Sequence, residues 1–235
     1  MPLPLMSECF DAARYLEWEA TQEGRHEFIG GEVFAKIGGS DVHNTIAGNV
    51  AASLKAALRG TPCRVFIADL KLRVEAVDAF FYPDVFVTCD GRDKVPEADL
   101  AKGHPCLVIE VLSESTAAYD RGLKFEHYQK LDTLQEYLLL EQDRRHADLF
   151  RRNDEGLWVL HPTSGKGSVT LASVGAQIDM DAIYEDVSFE AAAPRPSPAS
   201  PPTGGAASPP GCEGGKQCLP NSPLAPRGAG ENLPG

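Results

Sequence analysis

Glu110 stands inside the run Leu107-Val-Ile-Glu-Val-Leu112, among apolar neighbours on both sides. A carboxylate in such a strand is costly to bury unless it is paired or holds a metal. Pairing with a lysine or a helix end is the plainer alternative, and the strength of the apolar context argues for function. Asp84 follows Pro83 at the head of a second apolar run, Val85-Phe-Val-Thr88. On its own, Pro83-Asp84 reads as a turn leading into a strand. Beside Glu110 it reads differently, because two adjacent strands that each send one carboxylate to the same edge make a hard oxygen site. Magnesium and manganese suit such a site, since they take few carboxylates and keep several waters. The expected metal ligands are therefore Asp84 and Glu110, with Mg2+ or Mn2+ as cofactor.

Lys124, Tyr128 and Leu131 share one helix face, being four and three residues apart. Leu131 turns that face inward, and Lys124 turns with it. An amine beside two carboxylates can orient a water or stabilise a pentavalent phosphate. A surface pair with Asp120 is the plainer alternative. If Lys124 lies at a cleft edge, its loss should cost little folding energy. His43 opens a helical stretch and shares a face with Ala47 and Val50. Its alternatives are a structural role and contact with a reacting phosphate or with Glu110. Glu27 and Glu32 flank Gly30-Gly31 and read as a solvated hairpin. Ser113 and Ser115 lack the frame of a nucleophile elbow. Gly38-Gly39-Ser40 lacks the lysine of a phosphate loop.

The elements that must position these residues follow from periodicity. A helix is expected over 9–20, with Phe10, Ala13, Leu16 and Trp18 partly inward, and a hairpin around Gly30-Gly31. Ser40 or Asp41 caps a helix running to Leu58, and Gly60 stops it. Strands are expected at 63–68 (hairpinned, as one option, with 70–75), 83–88 and 106–112. A helix over 117–131 and strands at 136–141, 147–151 and 157–160 follow, and 181–189 closes the domain. That order describes an α/β domain, a mixed sheet flanked by helices.

Hydrophobic residues make up 43% of the 235, enough for a sizeable core, and no apolar run is long enough to span a membrane. Residues 1–190 form the expected domain. From 191 to 235 the chain holds 11 Pro and 8 Gly and reads as a disordered tail. The net charge is −12, or −13 without the tail, which argues against a broad basic surface wrapping nucleic acid. Cys63, Cys89 and Cys106 read as small core thiols in a reducing cytoplasm, and no Cys-x-x-Cys pair suggests zinc.

The set Glu27-Phe-Ile-Gly-Gly-Glu32, His43, Pro83-Asp84-Val85, Val108-Ile-Glu-Val-Leu-Ser-Glu-Ser-Thr116, Asp120-Arg-Gly-Leu-Lys124, Tyr128 and Glu136-Tyr137 resembles a bacterial restriction endonuclease family, the Uma-two type, of the PD-(D/E)XK nuclease superfamily. The resemblance covers about residues 9–190 and is most specific over 105–137. It implies the restriction-endonuclease-like fold, with the first acid at Asp84 and the second at Glu110. Leu112 departs from the pattern, which has lysine two residues after the second acid. Related families place that lysine on the following helix, which here means Lys124. The function implied is metal-dependent endonucleolytic hydrolysis of DNA, with catalytic residues Asp84, Glu110, Lys124 and His43. The Val111 carbonyl is a further candidate ligand. Lys71, Arg73, Arg121, Arg144 and Arg145 are candidate backbone contacts. The alternative is a nuclease fold that has lost catalysis and serves as a binding module, which the acidic surface and Leu112 favour. RNA is the other nucleic acid these residues allow. A homodimer is open, and no membrane is expected.

Overall fold

The computed structural model describes residues 10–36, 38–96 and 100–189. The expected tail, with Cys212 and Cys218, and also Cys9, lie outside the described residues. Two mixed sheets, a small hairpin sheet and flanking helices make up the α/β architecture.

The first sheet has the order β2 (Glu32–Lys36), β1 (Arg25–Ile29), β5 (Ala79–Phe81), β4 (Lys71–Val74), β7 (Ala101–Lys102). Gly30 and Gly31 turn the β1–β2 hairpin with φ of 55° and 100°, angles that cost glycine little. The second sheet has the order β11 (Trp158–Ser164), β10 (His146–Arg152), β9 (Glu136–Glu141), β8 (Leu107–Leu112), β6 (Val85–Thr88), β3 (Arg64–Ile67). In it β8 and β9 are parallel, and all other pairs are antiparallel. The remaining hairpin pairs β12 (Ser168–Leu171) with β13 (Ala176–Asp179).

Helix α1 (Ala12–Glu19) packs near β1, and α2 (Asp41–Ala57) lies across one face of the second sheet. The crossover from β8 to β9 begins as α3 (Ala117–Tyr119), widens into a π-helical turn at Asp120–Lys124, and ends as α4 (Phe125–Tyr128). A single turn, α5 (Met180–Ile183), closes the described chain.

Side-chain alternation along β8 divides the core. Ile109 and Val111 join Ile46, Val50 and Leu54 of α2. Val108 and Leu112 join Phe125 and Tyr128 of α4. Glu110 shares the second face by the same period, so it points toward the crossover helix.

Four features correct the sequence reading. The runs at 63–68 and 70–75 do not pair with each other: β3 joins β6, while β4 joins β5 and β7 in the other sheet. Helix α1 also buries Tyr15 and Glu19, and of the residues expected partly inward only Ala13 is exposed, because Tyr15 stacks on Phe28 and packs tilted against Phe80 while Leu16 and Trp18 pack at the edge of that cluster. The helix expected to reach 131 ends at Tyr128 and contains a π turn. Cys63 and Cys89 are joined in a disulfide, not free thiols. The reason is register: Arg64 faces Thr88, so the next residues outward stand opposite each other.

Candidate active site

The β6–β8 register sets Val85 against Ile109 and Phe86 against Val108, so one further step brings Asp84 to Glu110. Both are buried, at 5% and 3% exposure. The Asp84 N–H donates to Glu110 Oε2 at 3.3 Å, and the Val111 N–H donates to Asp84 Oδ2 at 2.9 Å. The two acids are thus fixed by backbone amides at the point where Tyr82-Pro83 carries the chain from the first sheet into the second.

Lys124 completes this pair from the crossover. Its Nζ lies 2.9 Å from Glu110 Oε1 and 3.2 Å from Glu27 Oε1, with Asp120 Oδ1 at 3.7 Å. The π turn buries Asp120 and Lys124 together. Such turns recur at functional sites. The Tyr128 hydroxyl donates to Glu110 Oε1 at 3.0 Å.

Lys36 and His43 also approach Asp84. Lys36 Nζ lies 3.1 Å from Oδ1, and His43 Nε2 lies 3.2 Å from Oδ2. His43 is held by the start of α2, where Ser40 Oγ accepts its N–H at 3.1 Å. Ser40 Oγ in turn donates to Gln142 Oε1 at 2.8 Å, and Gln142 Nε2 donates to the Leu112 carbonyl at 2.8 Å. Gly39 lets the backbone press on the imidazole: a Cβ there would stand 2.4 Å from His43 Cδ2. His43 Nδ1 is buried with no protein partner among the described residues.

Burial opposes ionisation of Asp84, but the His43 hydrogen bond, Lys36 and the Val111 amide hold its carboxyl well below the usual range. Burial pushes Glu110 up to about 7, against the pull of Lys124 and with help from Asp84 and Asp120. Burial also raises Asp120. For Lys124 burial would favour loss of the proton, but Glu110, Glu27, Tyr128 and Asp120 outweigh it and hold the amine well above an ordinary lysine.

All four sequence-proposed site residues, Asp84, Glu110, Lys124 and His43, are therefore brought together. The sequence reading missed Glu27, Lys36 and Asp120 as members of the cluster. Glu27 is buried, not solvated, and accepts the Tyr82 N–H at 3.2 Å. Lys124 is 4% exposed and lies inside the cluster rather than at a cleft edge. Most of the basic groups proposed for backbone contact are already engaged. Arg121 pairs with Glu141 and Asp148 at 2.6 Å each, Arg144 with Glu141 at 3.3 Å, Arg145 with Asp181, and Arg73 with Asp78 at 3.4 Å. Lys71 lies over the Tyr82 ring.

Among the described residues no group of three or more His, Cys, Asp and Glu side chains stands ready as a metal cage. The donor set still fits a small hard cation, which needs only one or two carboxylates with waters. The charges fit as well. Glu27, Asp84, Glu110 and Asp120 face Lys36 and Lys124, which leaves two negative charges when all are ionised.

Residues 12–181 match the family Uma2, described as "Putative restriction endonuclease". The "Uncharacterized protein slr1290" of Synechocystis sp. is 36% identical over 188 residues, covering 80% of this chain and 96% of that protein. The "Uncharacterized protein sll1609" of the same organism is 31% identical over 157 residues, covering 67% and 89%. The crystal structure of a "putative nuclease belonging to DUF820" from Anabaena variabilis has a TM-score of 0.61 at 16% identity, over 74% of this chain and 97% of that one, a likeness of fold. Matched over residues 12–181, the chain belongs to the Uma2 family.

Proposed function

We propose that the chain is a magnesium- or manganese-dependent endodeoxyribonuclease that hydrolyses phosphodiester bonds of DNA. The observation that carries this reading is the contact of Lys124 Nζ with Glu110 Oε1 at 2.9 Å, within a site that also holds Asp84. An amine absent from position 112 is thereby supplied from the crossover helix. Asp84 and Glu110, with the Val111 carbonyl, would hold the cation, which supplies Lewis-acid polarisation of a phosphoryl oxygen.

The protein groups divide the remaining work. Asp84 stays ionised through His43, Lys36 and the Val111 amide. Lys124 keeps its proton, so it acts as a fixed positive charge toward the developing phosphorane rather than as a base. Glu27 and Asp120 hold that ammonium in place, and Tyr128 orients the Glu110 carboxylate. His43 stands beside Asp84 through Nε2 and fixes that carboxylate.

The second reading, a fold that binds nucleic acid without cutting it, is favoured by one observation. Each oxygen of Asp84 and Glu110 already has a protein partner. One assay separates the two. Supercoiled plasmid and labelled DNA and RNA oligonucleotides are incubated with each metal, beside Asp84→Ala. Metal-dependent DNA cleavage absent from Asp84→Ala is expected. Equal cleavage by both proteins, or none by either, rejects the nuclease reading.

A further inference from the structure

The geometry points to a second, non-catalytic subsite for a backbone phosphate of the nucleic acid, at the far end of α2. It rests on the reading above that the chain acts on nucleic acid. A cavity of about 540 Å³ lies where α2 ends and β3 begins, lined by Lys55, Leu58, Arg59, Gly60, Cys63 and Arg64 among others. Three cations line it, and no carboxylate does. Lys55, Arg59 and Arg64 are exposed, and none has a carboxylate partner among the described residues. Arg25, Arg73, Arg92, Arg121, Arg144 and Arg145 are each neutralised by an acid, whereas these three cations gather around one hollow with none. Three unneutralised cations around one hollow repel one another, and an anion seated there removes the repulsion.

Position identifies the anion. His43 and Lys55 lie toward opposite ends of α2, about 18 Å apart at helical rise. Arg64 faces Thr88, four residues along β6 from Asp84, about 13 Å at strand rise. Two independent elements thus run from the acid cluster to the cavity. The span is roughly four to five steps of a nucleic-acid strand. A strand whose scissile phosphate lies at Asp84 and Glu110 carries another phosphate at that distance. The subsite adds two or three contacts to a protein whose net charge otherwise repels its substrate.

The test measures binding of the full chain to duplex DNA in EDTA by fluorescence anisotropy, across a salt series. The proteins are wild type, Arg59→Glu, Arg64→Gln and Lys166→Glu. Lys166 is exposed on the β11–β12 turn and matches the Arg59 charge change away from the cavity. For a duplex of about 20 base pairs, Arg59→Glu should weaken binding on the order of tenfold and lower the salt slope by about one or more. Arg64→Gln should lower the slope by about one, and Lys166→Glu should leave both unchanged. Unchanged slopes in both arginine variants overturn the subsite. So does a melting-temperature rise with inorganic phosphate that Arg59→Glu abolishes while duplex affinity holds, because the cavity then serves free phosphate. If wild type fails to cleave but the slopes fall, the nuclease reading fails and the subsite stands. If it cleaves and the slopes do not move, the subsite alone fails.

Discussion

Lys124 is a cation whose chemistry and burial cannot be separated. Lys124→Met should lower cleavage by ~10²-fold or more, as expected for loss of an electrostatic stabiliser. Lys130→Ala, exposed just beyond α4, should cleave like wild type in the same assay. Because Lys124 neutralises three buried acids, its removal should also lower urea stability, by about 3–5 kcal/mol if they stay ionised and by less as Glu110 takes up a proton. Asp93 gives a cleaner pH signature. Burial works against its charge, but the Gly103 and His104 N–H groups at 2.9 and 3.0 Å and the His104 ring hold its carboxyl below the usual range. A depressed folded pKa contributes stability above the unfolded value, near about 4, and loses it as pH falls through the folded value. Asp93→Asn should therefore destabilise the protein by about 1–3 kcal/mol at pH 7, and the gap to wild type should shrink below about pH 4 in thermal melts. The two acids were readable from sequence, since a carboxylate inside Leu107–Leu112 has few tolerable explanations. Lys36 and Glu27 were not, because alternating polar positions in a hairpin look alike whether water or a charge cluster receives them.

At the scale of elements, the widened turn at Asp120–Lys124 matters most. The sequence pattern showed an inward helix face but assumed a regular α-helix, and no local residue marks the extra width. Arg121, from the same turn, ties the crossover to Glu141 beside β10 and to Asp148 on it. Helix α2, by contrast, was nearly all legible: the Ser40 cap and the spacing of Ile46, Val50 and Leu54 are local signals. The Cys63–Cys89 link was not, because it depends on a β3–β6 register that no spacing rule reveals. It joins residues 26 apart, so chain-entropy arguments assign it roughly 3–4 kcal/mol. Cys63→Ser, or dithiothreitol on wild type, should lower urea stability by about that amount. Burial pushes the neighbouring Cys106 thiol up to about 11, so iodoacetamide should modify it slowly at pH 8 in the native protein.

For the whole molecule, the sequence order foretold a mixed sheet flanked by helices, and the second sheet fulfils it. The division into two sheets was hidden because strands that alternate between sheets leave the same local pattern as strands that share one. Binding of a cation at the junction predicts a ligand effect on global stability. Millimolar magnesium or manganese should raise the melting temperature of wild type, and Glu110→Gln should abolish the rise. Equal shifts in both proteins would put the ion elsewhere.

The peptide at Tyr82 has one last implication. Glu27 accepts its N–H and Lys36 donates to its carbonyl, so the two arms of the β1–β2 hairpin grip the link between the sheets with side chains of the acid cluster. A hairpin by itself is marginal in water. Evolutionary drift in these two side chains would therefore loosen the hairpin's hold on that link as well as blunt catalysis. Such variants would be culled as misfolded even in a lineage that had no further need to cut.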